Sequence, residues 1–137
     1  MSAVHFISHE VPVGTPVPAP HLFESAWDEF IELGVVDKIA WVGNALAMHM
    51  TVPRYDIGVF VQDKVVGGLC LAADDDPHVG TCLTVISNYV LPEYRGLVGA
   101  RCFRECIRVA KKSGYPVLAY THRLKDWEYK TIYRKLK

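Results

Sequence analysis

A glycine-containing turn between an apolar strand and an amphipathic helix is the part of the sequence best suited to chemistry. Residues 81–91 are apolar and strand-like, residues 92–96 are Pro-Glu-Tyr-Arg-Gly, and a helix is predicted over residues 97–112. Such a turn presents unpaired backbone N–H groups at the positive end of a helix, where a phosphate or pyrophosphate binds well. Because a glycine at a turn is ordinary, Gly96 and Gly99 alone also fit a plain helix start.

The charge of the chain is divided between its two halves. Residues 1–93 contain 3 basic and 12 acidic side chains and residues 94–137 contain 12 basic and 3 acidic ones, so the net charge of zero combines −9 with +9. A basic half that includes a predicted phosphate-binding turn suits a polyanionic ligand. The alternative is that the two halves fold together and neutralise each other.

The composition is that of a folded protein. The chain has 137 residues, of which 50% are hydrophobic and 22% are charged, and this predicts a single domain over residues 1–137 with a substantial core. No apolar run reaches the roughly 18 residues that span a bilayer, and the N-terminus lacks the pattern of a secretory signal. The four cysteines have no zinc-type spacing and are predicted to be reduced core thiols, so we expect a cytoplasmic protein.

Hydrophobic periodicity predicts both helices and strands. Apolar side chains recur at helical spacing over residues 21–33, and a second helix is predicted over residues 37–50 with Asp37 as its N-cap. In that second helix, Trp41, Met48 and His49 either line a pocket or pack in the core. Strands are predicted over residues 3–11, 55–62, 64–73, 81–91, 116–122 and 127–136. The strand–helix–strand spacing makes strands 81–91 and 116–122 parallel.

The sequence from residue 55 to residue 122 resembles the GNAT superfamily of N-acetyltransferases. The family signature is a strand, a turn like Pro-Glu-Tyr-Arg-Gly, and Arg/Gln-x-x-Gly-x-Gly/Ala at the start of the central helix, and Arg95, Gly96 and Ala100 match it. Val98 stands where the family has glycine, with Gly99 one residue later. Either the valine side chain narrows the approach of a phosphate or the loop is shifted by one residue.

The resemblance implies an α/β (α+β) fold with a mixed central sheet that contains an antiparallel meander, two N-terminal helices and one central cofactor-binding helix. It also implies acetyl-CoA as the co-substrate and no metal. The backbone groups of Asn88, Tyr89 and Val90 would bind the pantetheine arm. The pyrophosphate would bind at the start of the central helix, at Arg95, Gly96, Leu97, Val98, Gly99, Ala100 and Arg101.

Direct acetyl transfer requires a positioned thioester, a route for the amine proton and stabilisation of the oxyanion. In the family fold the reacting centre lies where strand 81–91 diverges from strand 116–122. His122 is therefore the candidate general base, Ser87 a candidate proton relay through water, and Tyr133 the candidate acid for the departing thiolate. The 15 residues after His122 have no room for both the family's tyrosine-bearing helix and a full final strand. Either the chain is truncated after that helix or a hairpin replaces the helix. In a hairpin Tyr133 loses this role.

The sequence thus predicts an N-acetyltransferase that moves an acetyl group from acetyl-CoA directly to a primary amine, on a small molecule or on a protein lysine or N-terminus. Asp74, Asp75 and Asp76 either attract a cationic amine or are solvated turn residues. The alternative function is a catalytically inactive binding or structural protein, similar to compact GNAT-like proteins of phages. In that case the compartment would be the host cytoplasm.

Other partners are judged from composition and predicted strands. Zero net charge and the lack of interleaved aromatic and basic residues argue against a nucleic-acid surface. No membrane partner is expected, because the chain has no apolar segment of the required length. Exposed strand edges would allow a homodimer.

Overall fold

The computed structural model describes residues 3–136. The strands are β1 (Val4–Val11), β2 (Arg54–Val61), β3 (Lys64–Asp76), β4 (Gly80–Val90), β5 (Val117–Lys125) and β6 (Glu128–Lys135). They form one six-stranded sheet in that order. Neighbouring strands are antiparallel except β4 and β5, which are parallel as predicted.

Within residues 3–136 the α-helices are α1 (His21–Glu29), α2 (Lys38–Met50) and α3 (Arg95–Lys112). Short 3₁₀ turns, Ile31–Val35 and Pro92–Tyr94, precede α2 and α3. Asp37 caps α2 as predicted, since its carboxylate accepts the Ala40 N–H at 3.2 Å. None of these helices has the length and apolar character needed to cross a bilayer. Two N-terminal helices, one central helix and a mixed sheet confirm the predicted fold class.

The main core lies between the sheet and α3. Val98, Cys102, Cys106 and Val109 form a stripe at helical spacing on α3. This stripe packs against buried strand residues, which include Ile57, Val59, Val66, Leu71, Leu83 and Leu118. Burial raises the pKa of Cys106 to about 12, so its thiol stays protonated. All four cysteines are buried and free, as predicted.

The boundaries of α1, α3 and β3 differ from the prediction. α1 ends at Glu29 rather than near residue 33, because Phe30 adopts an extended conformation (φ −101°, ψ 116°) before the chain tightens into a 3₁₀ turn. α3 begins at Arg95 rather than residue 97, since the preceding 3₁₀ turn leads directly into it. β3 continues through Asp74 and Asp75 to Asp76, because register pairing with β4 extends that far, so these residues are not in a loop.

The C-terminal segment forms a hairpin. β5 and β6 pair in antiparallel register from Val117 with Lys135 to Lys125 with Glu128, which confirms the predicted final strand. β5 extends to Lys125 rather than ending near residue 122, because this pairing continues to the turn. Of the two alternatives for the end of the chain, the structure therefore shows the hairpin.

Candidate active site

The sheet opens between its two parallel strands. β4 and β5 share register pairs only near their beginnings, and the last of these joins Thr84 to Ala119. Beyond Thr84, β4 continues to Val90 without a register partner on β5. The strands are divergent here, as the resemblance implies, and the gap gives a ligand access to their backbone groups.

A β-bulge lies on β4 where the gap begins. Cys70 on β3 pairs with Ser87, and Leu71 pairs with Val85, so Ile86 is the extra residue on β4. A bulge interrupts the hydrogen-bond ladder and changes the direction in which the neighbouring groups point. The bulge therefore places Ser87 and the backbone around it at the edge of the gap.

A cavity of about 790 Å³ lies between this gap and the helices α1 and α2. Most of its wall is apolar, and its polar side chains include His49, Asp56, Cys70, Ser87 and Arg123. The volume is within the range of about 300–1,000 Å³ that is usual for ligand pockets. The gap and the cavity together form the candidate active site.

His49 and Ser87 form a hydrogen-bonded pair in the wall of this cavity. The His49 ring is 1% exposed, and its Nδ1 lies 2.6 Å from the Ala45 carbonyl oxygen. Since a carbonyl can only accept, Nδ1 carries the hydrogen, and in the neutral ring Nε2 is the acceptor. Nε2 lies 2.8 Å from the Ser87 hydroxyl, which therefore donates to it. A hydroxyl that donates to a fixed imidazole can pass on a proton.

A row of polar side chains continues from Ser87 across the sheet. Asp56 on β2 pairs with Cys70 on β3, and Cys70 pairs with Ser87, so the three side chains share one face. Burial, together with the charge of Asp56, raises the pKa of Cys70 to about 12, so this thiol is not a nucleophile.

The Asp56 carboxylate is neutralised by a buried arginine. Arg54 donates to it from Nε at 2.7 Å and from Nη2 at 3.0 Å, and the two residues are 1% and 6% exposed. The same guanidinium donates to the His49 carbonyl at 3.0 Å and to the carbonyls of Thr15 and Pro16 at 2.8 and 3.2 Å. This pair therefore connects the end of α2 to the floor of the cavity.

The structure places His122 and Tyr133 away from Ser87. His122 is exposed and packs edge-to-face on Tyr120 at 5.2 Å, and Tyr120 in turn packs on Phe103 of α3. His122 is therefore on the α3 side of the sheet, whereas the cavity is on the other side. Tyr133 donates to Asp76 at 2.9 Å, and Asp76 pairs with Gly80 at the start of β4, seven residues before Ser87. The roles predicted for these two residues have no support from this geometry.

The start of α3 lies at the end of the same gap. The N–H groups of Tyr94 and Arg95 donate to the carbonyls of Leu91 and Pro92. The next two amides, those of Gly96 and Leu97, are in the first helical turn, where N–H groups have no acceptor within the helix. These two donors lie at the positive end of the helix dipole and can bind a phosphate group.

The remaining residues of the predicted pyrophosphate site, Val98 to Arg101, lie beyond the first-turn amides of α3. Val98 is 0% exposed and its side chain packs in the core, so it does not narrow the approach to the helix start. From Val98 onward, through Gly99, Ala100 and Arg101, the amides lie inside the helical ladder. The Arg101 side chain is exposed and lies over the ring of Phe6 at 5.5 Å. Its charge is accessible to an anion.

Arg95 is engaged by a carboxylate of α1. Its Nη1 and Nη2 each donate to Glu29 at 2.6 Å, and its Nε donates to the Val90 carbonyl at 2.9 Å. The Tyr89 hydroxyl donates to the same carboxylate at 2.8 Å, and burial together with this bond raises the pKa of Tyr89 to about 12. Arg95 and Tyr89 therefore anchor α1 to the end of β4.

A second carboxylate–guanidinium pair anchors the other side of the gap. Arg123 on β5 donates to Glu32 from Nε at 2.7 Å and from Nη2 at 3.0 Å, and the Tyr129 hydroxyl donates to Glu32 at 2.6 Å. The ring of Phe30 lies 4.7 Å from Arg123 and 5.7 Å from Arg95. The segment from Glu29 to Glu32, which we call the bridging segment, therefore joins both strands beside the gap.

The Glu32 carboxylate makes stability depend on pH in acid. Hydrogen bonds from Arg123 and Tyr129 lower the pKa of Glu32 to about 2. Because this pKa is below the roughly 4.3 of an unfolded glutamate, the stabilisation is complete above about pH 5 and is lost as the pH falls towards 2. We expect Glu32→Gln to lower the urea midpoint at neutral pH, with the difference from the wild type closing in acid. Parallel pH profiles, or the same behaviour in the exposed control Glu24→Gln, would contradict this assignment.

The family of the chain follows from comparison with known proteins. The model of the Acetyltransferase (GNAT) family matches residues 19–129. The chain belongs to the GNAT acetyltransferase family. The matched range includes His49, Ser87, the gap and the start of α3, and membership identifies the protein as an acyltransferase. No curated protein matches this GNAT chain in sequence.

Solved structures share the fold of this GNAT domain. PaiA N-acetyltransferase from Thermoplasma acidophilum, in complex with coenzyme A, has a TM-score of 0.63 at 12% identity, covering 91% of this chain and 82% of its own. A ribosomal-protein-alanine N-acetyltransferase from Brucella melitensis biovar Abortus 2308 has a TM-score of 0.57 at 15% identity, covering 89% and 82%. An IAA acetyltransferase from Bacillus cereus ATCC 14579 has a TM-score of 0.57 at 14% identity, covering 86% of this chain and 66% of its own.

The sequence analysis gave two alternatives for His49, lining a pocket or packing in the core, and it did not single out Arg54 and Asp56. The sequence does contain a signal for the pair Arg54 and Asp56. Two opposite charges two residues apart share one face of a strand, and here they begin a strand that is otherwise apolar apart from Tyr55. Charges on the buried face of such a strand must be paired, because an unpaired buried charge is costly. The pattern Arg-x-Asp at the start of β2 thus indicates a buried ion pair in this GNAT domain.

Proposed function

We propose that this protein is an N-acetyltransferase that moves an acetyl group from acetyl-CoA directly to a primary amine. The observation that carries the proposal is the gap between β4 and β5, which begins at the hydrogen-bonded pair of Ser87 and His49 and ends near the first-turn amides of α3. The related fold of an N-acetyltransferase in complex with coenzyme A supports the choice of acyl donor.

The start of α3 and its surroundings suit the phosphates of the donor. The amides of Gly96 and Leu97 would bind the pyrophosphate at the helix N-terminus. Lys64 lies over the ring of Tyr94 at 5.6 Å, and neither Lys64 nor Arg101 has a carboxylate partner within residues 3–136. These two cations would complement the phosphate charge. Arg95 would act indirectly, by holding α1 against β4.

The unpaired stretch of β4 suits the pantetheine arm. Asn88, Tyr89 and Val90 lie in this stretch, beyond the last register pair with β5. Backbone groups alternate in direction along a strand, so those that do not point to β3 can exchange hydrogen bonds with the amides of the arm. The Val90 carbonyl is already engaged, because it accepts from Arg95. An arm bound there would direct the thioester towards Ser87. The bound donor would supply a reactive acyl carbonyl.

The proton of the amine would leave through Ser87. As the C–N bond forms and the C–S bond breaks, the Ser87 oxygen accepts a proton from the amine nitrogen, directly or through water. Ser87 passes its own proton to Nε2 of His49, which the Nδ1–H bond to Ala45 holds in place. The leaving thiolate then receives, through water, the proton that His49 accepted, which restores the neutral imidazole, so the products are an amide and free CoA.

Titration calorimetry with acetyl-CoA tests donor binding at α3. Leu97→Pro removes one N–H from the first turn, where proline is tolerated, whereas Leu97→Ala removes the exposed side chain and keeps the N–H. We expect one-site binding to the wild type, and a loss of about 10- to 100-fold in affinity for Leu97→Pro, because the lost bond is to a charged group. Leu97→Ala should bind nearly as the wild type does.

Three results would contradict the proposal, each in a different part. If the wild type does not bind acetyl-CoA at millimolar concentration, acetyl-CoA is not the acyl donor. If both Leu97 variants bind it with equal affinity, the start of α3 is not its phosphate site. Binding without amine-dependent release of CoA would instead favour the inactive GNAT-like alternative.

A further inference from the structure

Aromatic and long apolar side chains surround the Ser87–His49 pair on the helical side of the cavity. The ring of Phe23 on α1 lies 5.2 Å from the His49 ring and 6.2 Å from the ring of Trp41 on α2. Met48, on the same helix as Trp41, also lines the cavity and is 56% exposed. The wall that faces β4 is therefore a half-exposed apolar surface rather than a closed core.

The carboxylates at the cavity are already neutralised. Among the described lining residues Asp56 is the only carboxylate, and Arg54 holds both of its oxygens. At the bridging segment, Glu29 and Glu32 are each held by an arginine. A ligand with several ammonium groups would find no unpaired carboxylate among these side chains, and desolvating its charges would be costly.

The acidic cluster that could attract a cationic amine lies elsewhere. Asp74, its nearest member, is four residues along β3 from Cys70, the register partner of Ser87, which is roughly 13 Å at about 3.3 Å per residue. Asp76 accepts hydrogen bonds from Tyr133 and from the His78 amide. None of the three carboxylates lines the cavity, so within it the further ammonium groups of a polyamine whose reacting nitrogen is at Ser87 would face the apolar wall.

We infer that the acceptor is a primary amine carried on an aromatic body with no second positive charge, such as an arylalkylamine. The inference rests on the proposed function, and it assigns the Phe23, Trp41 and Met48 wall to the body of the acceptor. Burial of an aromatic ring against this wall supplies affinity without any charged contact. The nitrogen then lies at the Ser87–His49 pair, which takes its proton.

Steady-state acetylation of phenethylamine, propylamine and spermidine tests the inference. We expect kcat/KM for phenethylamine to exceed that for propylamine by about 10- to 100-fold, the effect of burying a ring, and spermidine to be the poorest acceptor. Trp41→Ala should remove most of the preference for phenethylamine by raising its KM, while Trp41→Phe should keep the preference. Trp127 is 62% exposed and does not line the cavity, so Trp127→Ala should leave the preference intact.

The outcomes separate the acceptor class from the proposed function. A kcat/KM for spermidine equal to or above that for phenethylamine would overturn the aromatic acceptor and leave the acetyltransferase in place. So would an unchanged preference in a folded Trp41→Ala variant. Acetyl-CoA binding by calorimetry without transfer to any of the three amines would overturn the proposed function, and the acceptor class with it.

Discussion

Replacing Ser87 with alanine is expected to lower kcat for acetyl transfer on the order of 100-fold while leaving the affinity for acetyl-CoA unchanged. The hydroxyl donates to Nε2 of His49 at 2.8 Å, at the edge of the gap between β4 and β5. Its loss removes the path by which the amine proton reaches the imidazole. The measurement is steady-state kinetics with a fixed amine, with donor affinity obtained separately by calorimetry.

A second variant and a control make the result specific. His49→Gln should cause a comparable loss in kcat, and the double variant should lose little more, because two residues that act as one unit are not additive. Thr84 is a half-buried hydroxyl on the same strand that does not line the cavity, so Thr84→Val should keep the wild-type kcat. Additive losses for Ser87 and His49, or a loss that lies wholly in donor affinity, would refute the proton path.

Replacing Arg54 with methionine is expected to lower the free energy of unfolding by about 3–5 kcal/mol. The guanidinium is 1% exposed, and it donates to both oxygens of Asp56 and to three backbone carbonyls. Methionine leaves Asp56 as an unpaired buried charge and removes the donor for each carbonyl. Urea unfolding followed by circular dichroism measures the change.

The double variant Arg54→Met/Asp56→Leu should recover part of this loss, because it no longer contains an unpaired carboxylate. Lys38→Ala provides the comparison with an exposed pair. Lys38 and Asp28 are 37% and 59% exposed, so breaking their contact should cost at most about 1 kcal/mol. An Arg54→Met variant no less stable than Lys38→Ala would show that the buried pair contributes nothing.

The fold was predictable because its signals are local. Apolar alternation predicts the strands, and helical spacing predicts the stripe on α3 that includes Cys106 and Val109. Asp37 marks the start of α2 because a capping side chain acts within three residues of its own position. The hairpin of β5 and β6 remained one of two alternatives, since the number of residues left after His122 is compatible with either.

The candidate site was less predictable because it depends on long-range geometry. His49 and Ser87 are 38 positions apart, and only the packing of α2 on β4 brings the imidazole to the hydroxyl. Which strand face His122 occupies depends on the register of β5, and a shift of one residue reverses the face. Arg95 matches the family signature, but its pairing with Glu29 depends on where α1 ends, which propensity predicts poorly.

The short pairing of β4 with β5 also determines how the molecule can open. Across the sheet, the β5–β6 hairpin is joined to the other four strands only beside Leu83 and Thr84. Its side-chain attachments to the rest of the protein include the packing of Tyr120 on Phe103 of α3. They also include the bonds of Arg123 and Tyr129 to Glu32 and the bond of Tyr133 to Asp76. The free energy of partial unfolding should therefore be lowest for separation at the β4–β5 boundary, which divides the sheet into a four-stranded and a two-stranded unit. A ligand that bonds to both strands would join the two units and raise the cooperativity of unfolding, so occupancy of the gap and integrity of the fold are thermodynamically linked.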